Sequence, residues 1–526
     1  MYGASQCRIG EARVKAFVTV MLSIGLSLAA IASAHATSDD ALAPQQQALD
    51  LERANLNALL QDAGAGVRAG MLDEARAVVD DPSFSSLESD AQYRGLLILG
   101  SALHANRQNT EAHAIAVRLT SMADADGQAW RLRLVSAPIG DQTERLPCLA
   151  RIAQNWPDQL ANIDPSYIAR SIVTTDNEPA LADLRFQLLQ ALWANHWPGA
   201  QSILPPSEVW LALAEAYEGR GDTAHALLVS GSVIDPNVLI DVQIDRRYDR
   251  LKAAMGDQFD LAKAQLHYLD ALKAAAASLP NQLGVVALLV AELGDENRIG
   301  EASGVLDAAV AKIKADTPDH PAYQNEAQQR LWMDDRRSTL LLLSGHVDAA
   351  VAEKTLAAGL QEDGQPNVSQ AINLGDLLIG LNRPKAALAA VAGLTDDNAS
   401  PFGRMQLWNV RACADAELKD DADYQAELKK LRDHEADAPG ALEQVLICAN
   451  DLDGAAAVLI DRLGEADQRL EALREVQTYL QPAVELTMGR ELDRREEKVA
   501  QRPAVRAAID AVGHVTTISR LAPGWF

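Results

Sequence analysis

Aromatic side chains are scarce in this chain: they make up 4 % of the residues, although hydrophobic residues as a whole reach 48 %. The apolar content is carried instead by Ala and Leu. Both are strong helix formers, and a small Ala side chain lets two helices approach closely. Strand-rich folds draw on β-branched and aromatic residues, so the bias argues against a mainly β architecture and for packed helices. Cysteine is equally rare, with four in 526 residues and none in a CxxC or metal-ligand spacing. That excludes a disulfide-dense scaffold and a zinc site built on paired cysteines. Basic residues are in deficit, with 47 Lys and Arg against 73 Asp and Glu, a net charge of −26. Such a field repels nucleic acid and anionic lipid headgroups and draws in cationic partners. Catalytic signatures are missing too: no HExxH, no GxSxG, no Walker loop, and no GxGxxG opening a helix after a strand. No run supplies the alternating oxygen ligands, central Gly and closing Glu of a calcium loop. The expectation is a protein that is not an enzyme and takes no cofactor and no metal.

The start of the chain reads as a targeting signal. Arg8, Arg13 and Lys15 form a basic lead, Ala16 to Ala30 is an uncharged apolar run, and Ala32-Ser33-Ala34 and Ala34-His35-Ala36 offer small-x-small cleavage sites. The apolar run falls short of the ~20 residues that span a bilayer, and no later stretch reaches that length. Cys7 precedes the apolar run and so is no lipid-anchor cysteine. Cleavage after Ala36 removes three bases and one acid, which takes the net charge from −26 to −28. A periplasmic or secreted mature protein, with no membrane span, is expected. Cys148, Cys413 and Cys448 remain and are read as small buried apolar residues, with a Cys413–Cys448 bridge as the alternative.

A length of 526 residues exceeds the roughly 250–300 that one compact core serves. The chain is either several domains or a stack that grows in one direction, and internal repetition favours the stack. The clearest copy runs from Ser207 to about Pro236. Trp210, Leu213 and Tyr217 return on one helical face, Gly221-Asp222 breaks the helix, Ala226 follows five residues after the glycine, and Asp235-Pro236 ends the unit. Two antiparallel helices need a sharp turn, which Gly221 permits. Ala226 falls where the second helix crosses the first and a small side chain is required. Weaker copies keep the same spacing from turn to alanine: Gly70 and Ala75, Arg107 and Ala112, Asn297 and Ala302, Gly345 and Ala350, Asn382 and Ala387, Asn450 and Ala455. Leu99-Gly100 and Leu374-Gly375 stand upstream of two of these turns. Asn is the next most tolerant residue at such a turn.

The copy from Ser207 to Pro236 resembles the tetratricopeptide repeat, through Trp210, Leu213, Tyr217, Gly221, Ala226 and Pro236. The proline comes about two residues early, and Ser230 stands where the family has a large residue. The resemblance implies an all-α fold, an α-solenoid in which antiparallel helix pairs wind into a right-handed superhelix. One pair cannot bury its apolar faces alone, so copies must stack.

Around the repeats the organisation is uneven. Residues 1–36 are the signal, 37–140 N-terminal repeats, 141–206 an irregular segment, 207–463 further repeats and 464–526 capping helices. The irregular segment carries Trp156-Pro157, Trp193, Trp197-Pro198 and Pro205-Pro206, where proline forces helix starts and ends, with one amphipathic helix at "ALADLRFQLLQALWANH". "DVQIDRRYDRLKAAMG" reads as one offset helix with Arg246, Arg247 and Arg250 exposed, and Thr395 to Gly403 as a loop. Charge density rises after Gly464, in "GRELDRREEKVAQRP". The final Pro523-Gly524-Trp525-Phe526 does not follow an alternating strand, which argues against an outer-membrane barrel.

Function is read from the first-helix face. The resemblance places Glu208, Leu211, Glu215 and Glu218 on the concave, partner-facing side of the best copy. The Lys and Asn that some family members use to hold a terminal carboxylate are absent there. The expectation is a periplasmic or secreted scaffold that binds a basic or mixed basic–apolar protein segment. An accessory part of an envelope polysaccharide or outer-membrane export assembly is the alternative, and an enzyme with a helical active site the remote one. His104 and His113 are read as surface residues of two paired helices, and His434 and Asp420-Asp421 as charged turns. Asn367-Val368-Ser369 and Asn398-Ala399-Ser400 match the glycosylation sequon.

Overall fold

The computed structural model describes residues 71–522, apart from 139, 199–203, 316–321, 324–325 and 363–364. The signal segment, its cleavage sites, Gly70 and Trp525-Phe526 lie outside the described residues. The chain divides into two units by contact density. Among the described residues, an N-terminal unit holds 71–202 and 208–216, and a C-terminal unit holds 204–207 and 217–522.

In chain order the first helices are α1 (Leu72–Asp80), α2 (Ser89–Ala105), α3 (Asn109–Thr120), α4 (Gly127–Ser136), α5 (Gln142–Asn155), α6 (Pro165–Thr174), α7 (Ala182–Ala194), α8 (Ser207–Gly219) and α9 (Thr223–Ser230). They continue with α10 (Pro236–Ile244), α11 (Asp249–Met255), α12 (Leu261–Ser278), α13 (Leu283–Asp295), α14 (Ile299–Lys314), α15 (Glu326–Leu343), α16 (Val347–Gly359), α17 (Val368–Gly380) and α18 (Pro384–Val391). The last are α19 (Pro401–Leu418), α20 (Asp421–Asp433), α21 (Pro439–Cys448), α22 (Leu452–Gly464), α23 (Arg469–Glu475), α24 (Thr487–Ala500) and α25 (Pro503–Val512). Most helices pack chiefly on their sequence neighbours, and first helices also touch in the pairs α13–α15, α17–α19 and α19–α21. This is the packing of an all-α helical-repeat stack. No helix among the described residues is long and apolar enough to cross a membrane.

The spacing of turn to alanine has a clear physical basis. Arg107, Gly221, Asn297, Gly345, Asn382 and Asn450 all take positive φ. The amide after each turn residue donates to the carbonyl five residues earlier, from Gln108 to Leu103, Asp222 to Tyr217, Arg298 to Leu293, His346 to Leu341, Arg383 to Leu378 and Asp451 to Leu446, at 2.8–3.0 Å. This left-handed stop satisfies carbonyls that a helix end leaves open. Asp222 and Asp451 then cap the second helix through their side chains. Ala112, Ala226, Ala302, Ala350, Ala387 and Ala455 are all 0 % exposed. Seven residues before a turn the first helix is also small, at Gly100, Ala214, Ser338 and Gly375. The two small positions meet in one hairpin, where Ser338 Oγ donates to the Ala350 carbonyl at 2.7 Å.

A seventh turn went unread in the sequence. Lys419 adopts φ 59° between α19 and α20, with Asp420 as the N-cap, and Tyr424 takes the place of the alanine. Neither residue carries the signal of the other copies.

Several expectations need correction. Cys413 and Cys448 form a disulfide, with their Cα atoms 5.2 Å apart, while Cys148 is buried and free. The bridge ties the C-terminal ends of two successive first helices, α19 and α21. The offset helix near Arg246 is two helices, α10 and α11, separated by a turn in which Arg247 pairs with the fully buried Asp245 at 2.8 Å. Arg246 and Arg250 are exposed, as read. Two short strand pairs are also present: β1 (Gln361–Glu362) with β2 (Gln365–Pro366), and β3 (Thr478–Leu480) with β4 (Thr517–Leu521) in parallel.

The end of the chain does more than cap the last hairpin. α24 packs on α17, α21 and α22, α23 packs on α10, and β4 packs on α13. The main core of the C-terminal unit accordingly joins Ile240 and Ile244 to Leu473, Tyr479, Val505, Ile509 and Ile518. Gly513 lies so close to α10 that a Cβ there would stand 2.7 Å from the Ile244 carbonyl, and His514 N donates to that carbonyl at 2.7 Å.

Candidate partner-binding surfaces

Helix α8 carries the residues singled out for partner contact. Trp210 and Leu213 are buried, Tyr217 is half-buried, and Pro236 opens α10 from a buried position. Within the N-terminal unit Trp210 meets Trp193 edge to face, with ring centroids 5.0 Å apart, and Trp197 at 6.5 Å. Glu208 is exposed, and Glu215 and Glu218 are half-buried. Glu218 Oε2 accepts a hydrogen bond from Thr223 Oγ1 at 2.9 Å, across the turn at Gly221. Leu211 is only 5 % exposed. It packs inside the fold, so the partner-facing role expected for it does not hold. Positions 208, 211, 215 and 218 all share one helical face, and the burial of Leu211 shows that tertiary packing covers the middle of that face, which the repeat register alone does not reveal. His104 and His113 lie on the paired α2 and α3. His104 Nδ1 sits 2.8 Å from Asn109 Oδ1, and His113 Nε2 sits 3.5 Å from Glu144.

The second surface lies wholly in the C-terminal unit and was missed from sequence. Segment 465–522 runs past the C-terminal ends of the first helices and presents side chains to them. Leu486 enters an apolar cluster with Leu342, Ala350 and Leu377, and stands close enough to Gly380 that a Cβ there would meet it at 3.1 Å. Arg495 Nη1 donates to the last carbonyls of α21, Ile447 at 3.1 Å and Cys448 at 2.7 Å. Arg520, 1 % exposed, reaches the end of α13. Its Nη1 and Nη2 grip both Glu292 oxygens at 3.2 and 3.1 Å, and Nη2 also donates to Asp295 at 2.9 Å. Cations therefore sit where the aligned peptide dipoles and open carbonyls make helix ends negative. Arg474 adds a bidentate pair with Asp241 of α10 at 2.5 and 2.7 Å.

The electrostatics of this surface are dominated by carboxylates under strain from burial. Burial pushes Glu292 up to about 7, against the pull of Arg520. Asp295 and Glu296 are raised for the same reason. Burial opposes the charge on Arg520, yet Glu292 and Asp295 outweigh it and hold the guanidinium above its ordinary value. On α17, Asp376 is pushed up to about 7 by burial, with Lys354 pulling it down. Lys354 itself is buried and donates to Asp335 at 2.7 Å. Further along, Arg462 joins Glu443 at 2.5 Å and Glu475 at 2.6 Å, and burial pushes Glu443 up to about 8.

The sequence signal for this second surface is faint. Arg495 sits in the charged stretch "GRELDRREEKVAQRP", nothing local marks Arg474 or Arg520, and their partners lie 47, 233 and 228 residues away. A scan against models of known protein families finds no match to the chain, and a search of curated proteins finds none either.

Proposed function

We propose that the chain is an exported, tetratricopeptide-like scaffold that binds a protein or peptide partner. The observation that carries the reading is the return, among the described residues, of one helix–turn–helix geometry at seven of the positive-φ turns from Arg107 to Asn450, six of them followed by a fully buried alanine. A stack of such hairpins offers long rows of first-helix side chains, a surface suited to an extended ligand. The signature residues of α8 and α9 support the family resemblance through their burial and turn geometry. The Cys413–Cys448 bridge supports an oxidising compartment, since disulfides persist outside the reducing cytosol. Together with the basic lead and apolar run before Ala36, it favours the periplasm or secretion.

The partner we favour is basic or mixed basic–apolar. Its contacts on α8 are Glu208, Glu215 and Glu218, and the overall charge of −26 would speed and orient the encounter. The test begins with affinity capture from envelope extract on the intact chain. The identified partner is then titrated at rising salt against the wild type and a variant with Glu208→Gln, Glu215→Gln and Glu218→Gln combined. Affinity should fall with salt as the Debye length shrinks to about 3 Å at 1 M, and should fall in the triple variant. Equal affinity in both, at every salt concentration, removes the acidic face.

A further inference from the structure

The end of the C-terminal unit is built like a bound ligand. Strand β4 has five residues and pairs in parallel with β3, which has three, and the register slips between Tyr479 and Leu480. Along β4, Ile518 and Arg520 are each 1 % exposed while Thr517 and Ser519 face water. A buried apolar anchor and a buried arginine thus alternate on one face of a short extended segment. The arginine enters a receiving site on α13: both oxygens of Glu292, one of Asp295, and Glu296 at 3.8 Å. Among the described residues, Glu296 Oε1 has no hydrogen-bond partner. Asp235 adds a fourth negative group within electrostatic reach and Arg336 a second positive one. Arg298 acts on Glu296 as a third positive group, so the site holds four carboxylates against three guanidiniums.

We propose that β4 is an autoinhibitory strap: it occupies in cis the edge of β3 and the Glu292–Asp295–Glu296 site, which an extended, arginine-bearing segment of a partner takes in trans. The inference rests on the partner-binding reading above and names the chemistry of one such partner. The mode is strand addition, in which main-chain pairing supplies attraction and alternate side chains supply selectivity. A short ladder is cheap to exchange. A buried ion pair chooses register and partner more than it adds stability, because desolvation cancels much of the attraction. The bidentate grip on Glu292 demands a planar guanidinium, so a lysine would not substitute. A partner strand with a second cation beside its arginine would also satisfy Glu296, and would outcompete the resident strap.

The test uses the full chain and a fluorescent peptide with the sequence of residues His514 to Ala522. Wild type should bind it at least ten-fold more weakly than a variant whose strap is released by Arg520→Glu. A second release, Ser519→Pro, changes a water-facing strand position and leaves the receiving site untouched. Peptide carrying Arg520→Ala or Arg520→Lys should lose at least ten-fold in affinity for both variants. In the wild type, amides of residues 517–521 should exchange with deuterium faster than those of α17 and α19. Three results each overturn the strap: equal peptide binding by wild type and released variants, no binding by variants that keep their helical circular dichroism, or β4 amides that exchange only with the core of the whole unit. No envelope partner enters this assay, so its failure removes the strap alone and leaves the scaffold reading to its own capture experiment.

Discussion

Replacing Gly375 by alanine tests the close crossing of helices on which the stack depends. Gly375 lies in the middle of α17, seven residues before the turn at Asn382. In an open helix interior the change from Gly to Ala is favourable by roughly 0.8–1.0 kcal/mol, because Ala loses less backbone freedom. Here a Cβ would stand 2.6 Å from Val410 Cγ1, 3.2 Å from its Cγ2 and 3.5 Å from Val391 Cγ1. Carbon atoms prefer about 3.5–4.0 Å, so Val410 must retreat by roughly 1 Å. It has nowhere easy to go, being 0 % exposed on α19, with Val391 1 % exposed beside it. Overpacking of this kind costs about 1–3 kcal/mol. The helix gain offsets part of it, which leaves a net loss of up to roughly 2 kcal/mol. Gly304 on α14 is the control, since a Cβ there meets nothing within 4 Å. Gly304→Ala should stabilise by up to about 1 kcal/mol. Thermal melting followed by circular dichroism reads both, at about 2–4 °C per kcal/mol for domains of 150–250 residues and less for a larger unit. Adding Val410→Ala to Gly375→Ala should recover part of the loss, a coupling that neighbours in contact show. If Gly375→Ala raises the melting temperature as much as Gly304→Ala does, α17 and α19 do not touch there and the packing argument fails.

The buried alanines give a second handle: Ala226→Leu or Ala387→Leu should cost about 1–3 kcal/mol, against about 0.5 kcal/mol for Glu215→Gln, and equal melting shifts would refute the hairpin register. Asp376 gives a pH dependence. Its folded pKa of about 7 lies above the ordinary value of 3.8, so the folded chain holds the proton more tightly than the unfolded one between those limits, and stability falls as pH rises through 7. Asp376→Asn should therefore stabilise the fold at pH 8 by roughly 1–2 kcal/mol after allowance for its contact with water, read as a higher melting temperature, and leave it unchanged below pH 4; a gain of equal size at both would refute the burial argument. Peptide mapping without reductant should recover Cys413 joined to Cys448, and reduction should cost roughly 2–4 kcal/mol; two alkylated thiols in the native chain would refute the bridge. N-terminal sequencing of exported protein should begin after Ala36, and retention of Met1 in the soluble envelope fraction would end the export proposal.

The hairpins could be read from the sequence because everything that makes them is local. A turn residue tolerant of positive φ, a small residue seven positions earlier and an alanine five positions later lie within a dozen residues, and each answers to the geometry of two helices crossing once. That is why Gly221 and Asn382 announced themselves with all three marks, Asn297 and Asn450 with the turn and the alanine alone, and why Lys419 did not: its left-handed conformation is imposed by the helices on either side rather than invited by the residue. An apolar content carried by Ala and Leu, with few aromatics, likewise points to the helical class by local propensity alone. Burial and pairing at a distance have no such local signature. Leu211 is as apolar as an exposed groove residue would be, and only the packed neighbours of α8 put it inside. Cys413 and Cys448 pair because successive first helices bring their Cα atoms to 5.2 Å. An arginine in the sequence looks the same whether water or protein solvates it. The fold took Arg520 out of water and set it on α13, 228 residues away, because the last strand returns along the ends of the first helices, where carbonyls and carboxylates concentrate negative charge.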